Sequence, residues 1–419
     1  MEHGFVDSLV ARSLVLEVLN IVGYIKCGLR LRLVSQSLRC IQICGSVLEN
    51  IAVVKAPCLE RLILSSPYMP NRGLCARLRI VDAPKLHTFG YLEPGQVLEV
   101  HGTVIMPGIK PSENAMLTGV KILSMEVRFG VRNDVKMVPT FLKCFPNAER
   151  LHIVSKKCDE PTGEPLTVKF WEESGPIENV VSRINLMTFR EFKGDRGEVG
   201  FLEFVFKSAR ALEMVAIFMA NPSFTPFSMD EALVKAQYSA GNLASKSCKK
   251  CIIWSSRPEG GDPWSLRVGA DFSFEDPFTC CTCDGLLSNL WLGAFLVEGL
   301  NVESITVLKA PQLERLILQL PGKTIRGLIW ILDAPKLCVF GLPQNHVLEI
   351  RDTIIMSGMK ASLSTIVTSV ILSLKVCFGV RDEAEMVPVF LKCFPNVERL
   401  HITVFPQMLT LICLLYGIW

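Results

Sequence analysis

The apolar positions of this chain fall into short runs. Leu59-x-x-Leu62-Ile63-Leu64, Leu78-x-Ile80 and Leu151-x-Ile153 alternate, or nearly alternate, apolar with polar residues, the spacing of short half-buried strands. Ala56-Pro57 and Ala83-Pro84 stand where such patterns break. Proline has no N–H to donate and restricts the residue before it, so it ends a ladder. The predicted unit is strand, stop, turn and return. A lone unit of this kind cannot bury its apolar face, so neighbours must stack.

Between about Cys158 and Phe278 the pattern changes. Ile184 to Phe192 predicts a strand, Glu198 to Leu212 a helix with a stripe through Leu202, Val205, Ala209 and Leu212, and Leu212 to Met219 a further strand. Ser228 and Glu231 have the spacing of a capping box opening another helix, which Gly241 is placed to stop. This order reads as an α+β unit. The run Arg257 to Pro263 is turn chemistry and, with the Cys-rich stretch Cys280 to Cys283, marks a link to the C-terminal part of the chain.

The chain also resembles itself. KAPCLERLIL at Lys55 returns as KAPQLERLIL at Lys309, VDAPKL at Val81 as LDAPKL at Leu332, and FGVR at Phe129 again at Phe378. MVPTFLKCFPNAERLHI, Met137 to Ile153, returns as MVPVFLKCFPNVERLHI from Met386. Residues 47–154 are thus expected as a duplicate at 299–404. Within each copy the Ala-Pro elements are 27 residues apart (Pro57 to Pro84) or 24 (Pro311 to Pro335), inside the range of about 20–29 for leucine-rich repeats. The expected fold class is therefore α/β: a leucine-rich-repeat solenoid in two partial arrays around the α+β unit.

Composition supports a folded protein. Of 419 residues, 49% are hydrophobic and 20% charged, with mean hydropathy +0.35, which excludes disorder as the dominant state. Lys and Arg number 44 against 41 Asp and Glu. The resulting charge of +3, spread without blocks, argues against nucleic acid or an anionic membrane as partner. The 16 cysteines show no regular framework and read as reduced. Asn221 is followed by Pro222, so it is no glycosylation acceptor. Arg12 and Glu17 interrupt the N-terminal apolar run, unlike a signal peptide. Met408 to Trp419 is apolar but shorter than the roughly 17–25 residues a spanning helix needs. An intracellular protein, cytoplasmic or nuclear, is expected.

Each candidate for chemistry competes with a structural role. Cys144 with His152, and Cys393 with His401, suggest a nucleophile and base, but both cysteines read as core residues with no third group to orient the base. Cys248 and Cys251 have zinc-knuckle spacing that Cys280, Cys281 and Cys283 could complete, in an irregular order. Gly322-Lys323-Thr324 resembles the end of a phosphate loop, yet the required first glycine is Ile317. Arg30 and Arg32 read as a solvated strand face. The expectation is no enzyme, no catalytic residue, no cofactor and no metal. What remains is a binding surface with an unknown protein target, whose candidate outward residues are Arg61, Arg79, His87 and Glu99 in the first array and Arg315, Lys336 and Glu349 in the second.

The strings LERLIL, DAPKL, FLKCFPNAERLHI, PIENVVSRINLMTFREFKG, FLEFVFKSARALEMVAIF and PWSLRVGADFSFEDPF resemble the repeat and FBD regions of plant F-box proteins, the large grass families above all. The resemblance implies an N-terminal segment at 1–28, a repeat array at 29–155, an FBD domain at 156–278, a linker at 279–298, a second array at 299–404 and an apolar tail at 405–419. It also implies the substrate-recognition half of a ubiquitin-ligase receptor. Residues 1–28 lack the Leu-Pro opening and Trp-containing close of an F-box, so adaptor and cullin binding is not expected of them. The alternative expectation is an inert product of two joined family genes, with an open first strand edge.

Overall fold

The computed structural model describes residues 5–23, 28–65, 76–158, 161–163, 166, 168–223, 226–239, 243–254 and 266–278. It also describes eight strands between 294 and 376, then 387, 391, 394 and 396–404. The chain divides into two compact units: residues 49–285, and residues 1–48 together with 286–419.

In unit 49–285, the main sheet orders its described strands as Arg61–Ser65, Thr88–Leu92, Ile122–Val127, Arg150–Ser155, Leu186–Phe192, Met214–Met219 and Lys249–Trp254, each parallel to the next. Thr88–Leu92 and Ile122–Val127 are buried at every position, as strands of a parallel sheet covered on both faces must be. A smaller sheet joins Arg77–Ile80 and Val97–Val100 in parallel, then turns back into Thr103–Val104. His101 and Gly102 both take positive φ (46° and 81°), the backbone that a two-residue turn between twisted strands requires.

Helices close one face of the main sheet. Arg132–Cys144 lies between two of its strands in sequence, and its last turn is finished by Asn179, whose Nδ2 donates to the carbonyls of Leu142 and Phe145 at 3.0 Å each. Each carbonyl also accepts a backbone bond, from the Phe145 N–H (3.3 Å) and the Ala148 N–H (3.1 Å) respectively, so Asn179 adds a second donor at each position of the helix end. The helix Arg196–Ser208 begins with a capping box of Asp195 and Glu198. Its Phe201 meets Phe129, Phe189 and Trp171, and Trp171 stacks on Phe204, so aromatic rings join helices to sheet. The strand, helix and strand predicted from the pattern appear as Leu186–Phe192, Arg196–Ser208 and Met214–Met219. The helix ends before Leu212 because Ala209 is extended and the Arg210 N–H turns to the Val181 carbonyl. Met229–Ser239 is helical, with the Glu231 N–H 3.4 Å from Ser228 Oγ; Gly241 lies outside the described residues.

The other unit has a parallel sheet in the order Ala294–Glu298, Arg315–Gln319, Val339–Leu342, Ile371–Val376, Arg399–Val404, Val18–Gly23, Cys40–Cys44. Arg315 faces Val339, Ile371 faces Arg399 and Ser373 faces His401. These are the registers in which Arg61 faces Thr88, Ile122 faces Arg150 and Ser124 faces His152. Val18–Gly23 is a strand ahead of residue 29, where the array was expected to begin, and it has a neighbour on each side. That corrects the expectation of an open first edge. The pattern hid this strand because Asn20 interrupts the apolar positions Val18, Leu19 and Ile21. Asn20 is nevertheless fully buried, with its amide bonded to His401 and Gln42.

The architecture is α/β, with large parallel sheets and few helices. Among the described residues no helix is long and apolar enough to cross a membrane. The linker residues 279–293 and the tail from 405 lie outside the described residues.

Candidate functional site

Strand side chains alternate between sheet faces, so the parallel registers of unit 49–285 set rows across the face opposite the helices. One row holds Arg61, Thr88, Ile122, Arg150, Leu186 and Met214; the next holds Ser124, His152, Thr188, Ala216 and Cys251. A strap, residues 266–278, crosses this face.

Arg61 anchors one end of the strap. Its guanidinium donates to the carbonyls of Gly269 (2.8 Å), Asp271 (3.1 Å) and Phe274, and packs 4.8 Å from the Phe272 ring. Arginine suits this job because its planar fork offers five donors. Expected as an outward partner-binding residue, Arg61 is instead buried, because the strap's carbonyls take the place of solvent.

At the other end Asp276 sits over His152. His152 Nε2 is 3.0 Å from Asp276 Oδ2, and Nδ1 is 2.7 Å from Thr188 Oγ1. A carboxylate only accepts, so Nε2 carries a proton. Arg150 reaches Glu275 at 2.8 Å and Asp276 at 3.6 Å. Burial pushes the Asp276 pKa up, but His152, the Phe278 N–H and Arg150 outweigh it and hold the carboxyl below its ordinary value. The Phe278 ring then closes the site, 5.2 Å from Tyr91 and 5.3 Å from the imidazole. Gly90 makes room for it: a Cβ there would lie 2.5 Å from Phe278 Cζ.

Thr188, His152 and Asp276 have the order of nucleophile, base and orienting acid, which the sequence did not reveal. All three are buried beneath the strap, so no substrate reaches them in this arrangement. Cys144 is not part of the group. It lies on the helix Arg132–Cys144 with Sγ toward the Thr140 carbonyl, and burial pushes its thiol up to about 12. Cys393 lies outside the described residues.

The remaining candidates are dispersed. Arg79 and Glu99 pair in register on the smaller sheet and are half-buried. His87 is half-buried with its pKa lowered, chiefly by burial. Arg30 and Arg32 are exposed on alternate positions of Leu29–Val34. The side chains of Arg315 and Glu349, and the whole of Lys336, Gly322, Lys323 and Thr324, lie outside the described residues. Cys248 is buried and Cys251 exposed. Among the described residues no three metal-ligating side chains converge, and Cys280, Cys281 and Cys283 lie beyond them.

Past the strap the same face continues across Leu186–Phe192, Met214–Met219 and Lys249–Trp254. Arg190 stacks 4.0 Å over the Phe218 ring. Met214, Lys249 and Cys251 are exposed. Toward the strand ends Lys156 bridges Glu126 and Glu93; burial opposes its charge, but the two carboxylates raise its pKa. Arg190 and Phe218 are buried, so past the strap the side chains able to meet a partner include those of Met214, Lys249 and Cys251.

Two family models match the chain. The one described as "FBD-associated F-box protein At5g56370, LRR repeats" covers residues 1–153 and 285–402, and the FBD model covers residues 172–217. No curated protein matches, and no solved structure matches.

Proposed function

The chain belongs to the leucine-rich-repeat family of FBD-associated F-box proteins, and we propose that it is a non-enzymatic protein-interaction module, similar to the substrate-recognition half of a ubiquitin-ligase receptor. The observation that carries this reading is the strap-bearing face of unit 49–285. One stretch of it is closed by the chain's own strap, and the next presents the exposed side chains of Met214, Lys249 and Cys251 on parallel strands, beside the buried Arg190–Phe218 stack. Stacked repeat strands are a solenoid's means of presenting such a surface. The target is a protein, the chain carries no cofactor, and it works inside the cell. Residues 5–23 form a helix and a strand of the repeat unit, so the grip on a Skp-type adaptor and cullin is not assigned to them.

The alternative, an inert product of two joined family genes, predicts open strand edges. The two-sided pairing of Val18–Gly23 with Arg399–Val404 and Cys40–Cys44 favours the working module.

The test is cross-linking mass spectrometry of the tagged full-length chain in cell extract, followed by rebinding of the captured protein in purified form. Met214→Asp with Lys249→Glu should abolish rebinding, while Val234→Asp, at an exposed helix position, leaves it intact. Direct binding of purified adaptor and cullin to residues 1–48, or rebinding indifferent to the face substitutions, overturns the proposal.

A further inference from the structure

The residues that hold the strap in unit 49–285 recur in the other unit at the same sheet positions. Arg315 has the register place of Arg61, Gly341 that of Gly90, Arg399 that of Arg150 and His401 that of His152. The likeness extends to the histidine's bonding. His152 Nδ1 is tied to Thr188 on the following strand; His401 Nδ1 is tied to Asn20 on the strand Val18–Gly23, which fills that place in its own sheet, at 2.9 Å. Asn20 Oδ1 already accepts from Gln42, so its Nδ2 donates to His401 Nδ1 and the His401 proton falls on Nε2. That is the atom His152 turns to Asp276. Among the described residues His401 Nε2 has no hydrogen-bond partner.

The strap itself is not repeated: WSLRVGADFSFEDPF occurs once in the 419 residues. Its end is acidic, with Glu275 and Asp276 beside Phe278, whereas the repeated frame is cationic, with Arg315 and Arg399. At the matching positions the sequence keeps the arginine (Arg315), the glycine (Gly341) and the histidine (His401), the last with an Nε2 donor that has no partner among the described residues. In unit 49–285 the counterpart of each touches the strap: Arg61 at Gly269 and Asp271, Gly90 at Phe278 and His152 at Asp276.

From this frame we infer that the sheet face formed by Arg315–Gln319, Val339–Leu342, Ile371–Val376 and Arg399–Val404 is a docking site for an acidic-aromatic segment of the Glu-Asp-Pro-Phe type, presented by another chain. The segment's aspartate lies on Arg399 and His401 and its aromatic ring over Gly341. This site is in a different unit from the face proposed to hold the target, so either can fail without the other.

The test uses a fluorescein-labelled synthetic peptide of residues 264–278 and the full-length chain, read by anisotropy. The peptide should bind saturably. Peptides carrying Asp276→Asn or Phe278→Ala should bind about tenfold or more weakly, the scale of a lost charged hydrogen bond or a lost buried ring; these substitutions leave the protein's folding untouched. On the protein side, Arg399→Ala and Gly341→Val should weaken the parent peptide to a similar degree, and Arg150→Ala should not. Absence of binding, equal binding of all three peptides, or loss with Arg150→Ala but not Arg399→Ala each overturns the inference. The last outcome would mean that the peptide merely exchanges with the chain's own strap. Concentration-dependent dimers that the free peptide dissociates would support it and identify the presenting chain as a second copy.

Discussion

His152 and Asp276, 124 residues apart in sequence, meet at 3.0 Å in a site where both are buried. A carboxylate at such depth is tolerated only with partners in place, and this one has an imidazole, a backbone N–H and an arginine. The contact therefore couples strap docking to the repeat sheet: undocked, Asp276 returns to water and His152 loses the partner of Nε2.

Removal of one member of a buried pair strands the other, at a cost of roughly 3–5 kcal/mol. Asp276→Ala should accordingly release the strap and expose Phe278 and Gly90 to solvent. Hydrogen-exchange mass spectrometry should show protection lost over residues 266–278 and over Thr88–Leu92, but kept over Leu186–Phe192. Unchanged protection of the strap would show that Arg61 and Phe278 suffice to hold it.

Asp276 and Glu198 should give opposite pH signatures. The Asp276 pKa is lower folded than unfolded, so its contribution is complete above the unfolded value of about 3.9 and declines as pH falls through the folded value. The Glu198 pKa is raised by burial, with Asp195 adding to the rise against the pull of Lys193 and Ser155. Its contribution is complete below about pH 4.3 and is lost as pH rises through the folded value. Denaturant titrations at stepped pH should show Asp276→Asn flattening the acid limb. Glu198→Gln should flatten the limb above it, and a reversed assignment would refute both readings.

The strand and helix pattern was legible because each element carries its own apolar period: Leu186–Phe192, Arg196–Ser208 and Met214–Met219 lie close to where alternation and the helical stripe place them. The self-similarity was legible for the same reason, since register follows from spacing. The site was not. Arg61 looks like an outward residue of its strand, and only the strap, more than 200 residues later, turns it inward. Asn20 reads as a break in an apolar run, and its partner His401 is 381 residues away. Contacts at that separation leave no local period. The string containing Asp276 and Phe278 resembles an FBD region in sequence, outside the residues 172–217 that the FBD model matches, and nothing in it placed it on the sheet.

Asn179 offers a test of the helix end it closes. Its two donors serve Leu142 and Phe145, and an alanine would remove both buried bonds, leaving each carbonyl its single backbone partner, at about 1–3 kcal/mol in all. Asn179→Ala should lower the unfolding midpoint with an unchanged denaturant slope, and an Asp at this position should fare no better, since a carboxylate cannot donate. Rescue by Asp would show that the amide acts as something other than a donor.

Gly90 ties the strap to the sheet through space rather than charge. Its Cβ-less backbone lets the Phe278 ring approach where a methyl group would overlap Cζ at 2.5 Å, and Tyr91 and His152 flank the ring, so it has little room to retreat. Gly90→Ala should therefore cost about 1–3 kcal/mol by overpacking, although the position has no positive φ and its backbone accepts alanine. Phe278→Ala removes the ring and destabilises by its own lost burial, about 3–5 kcal/mol. The two substitutions should not add: with the ring gone, the methyl at position 90 meets open space, and the double variant should match Phe278→Ala alone. A double-mutant cycle measures this directly, with an expected coupling of roughly 1–3 kcal/mol. Additive costs would mean that Gly90 is required by the sheet itself, and that the ring is a passenger on it.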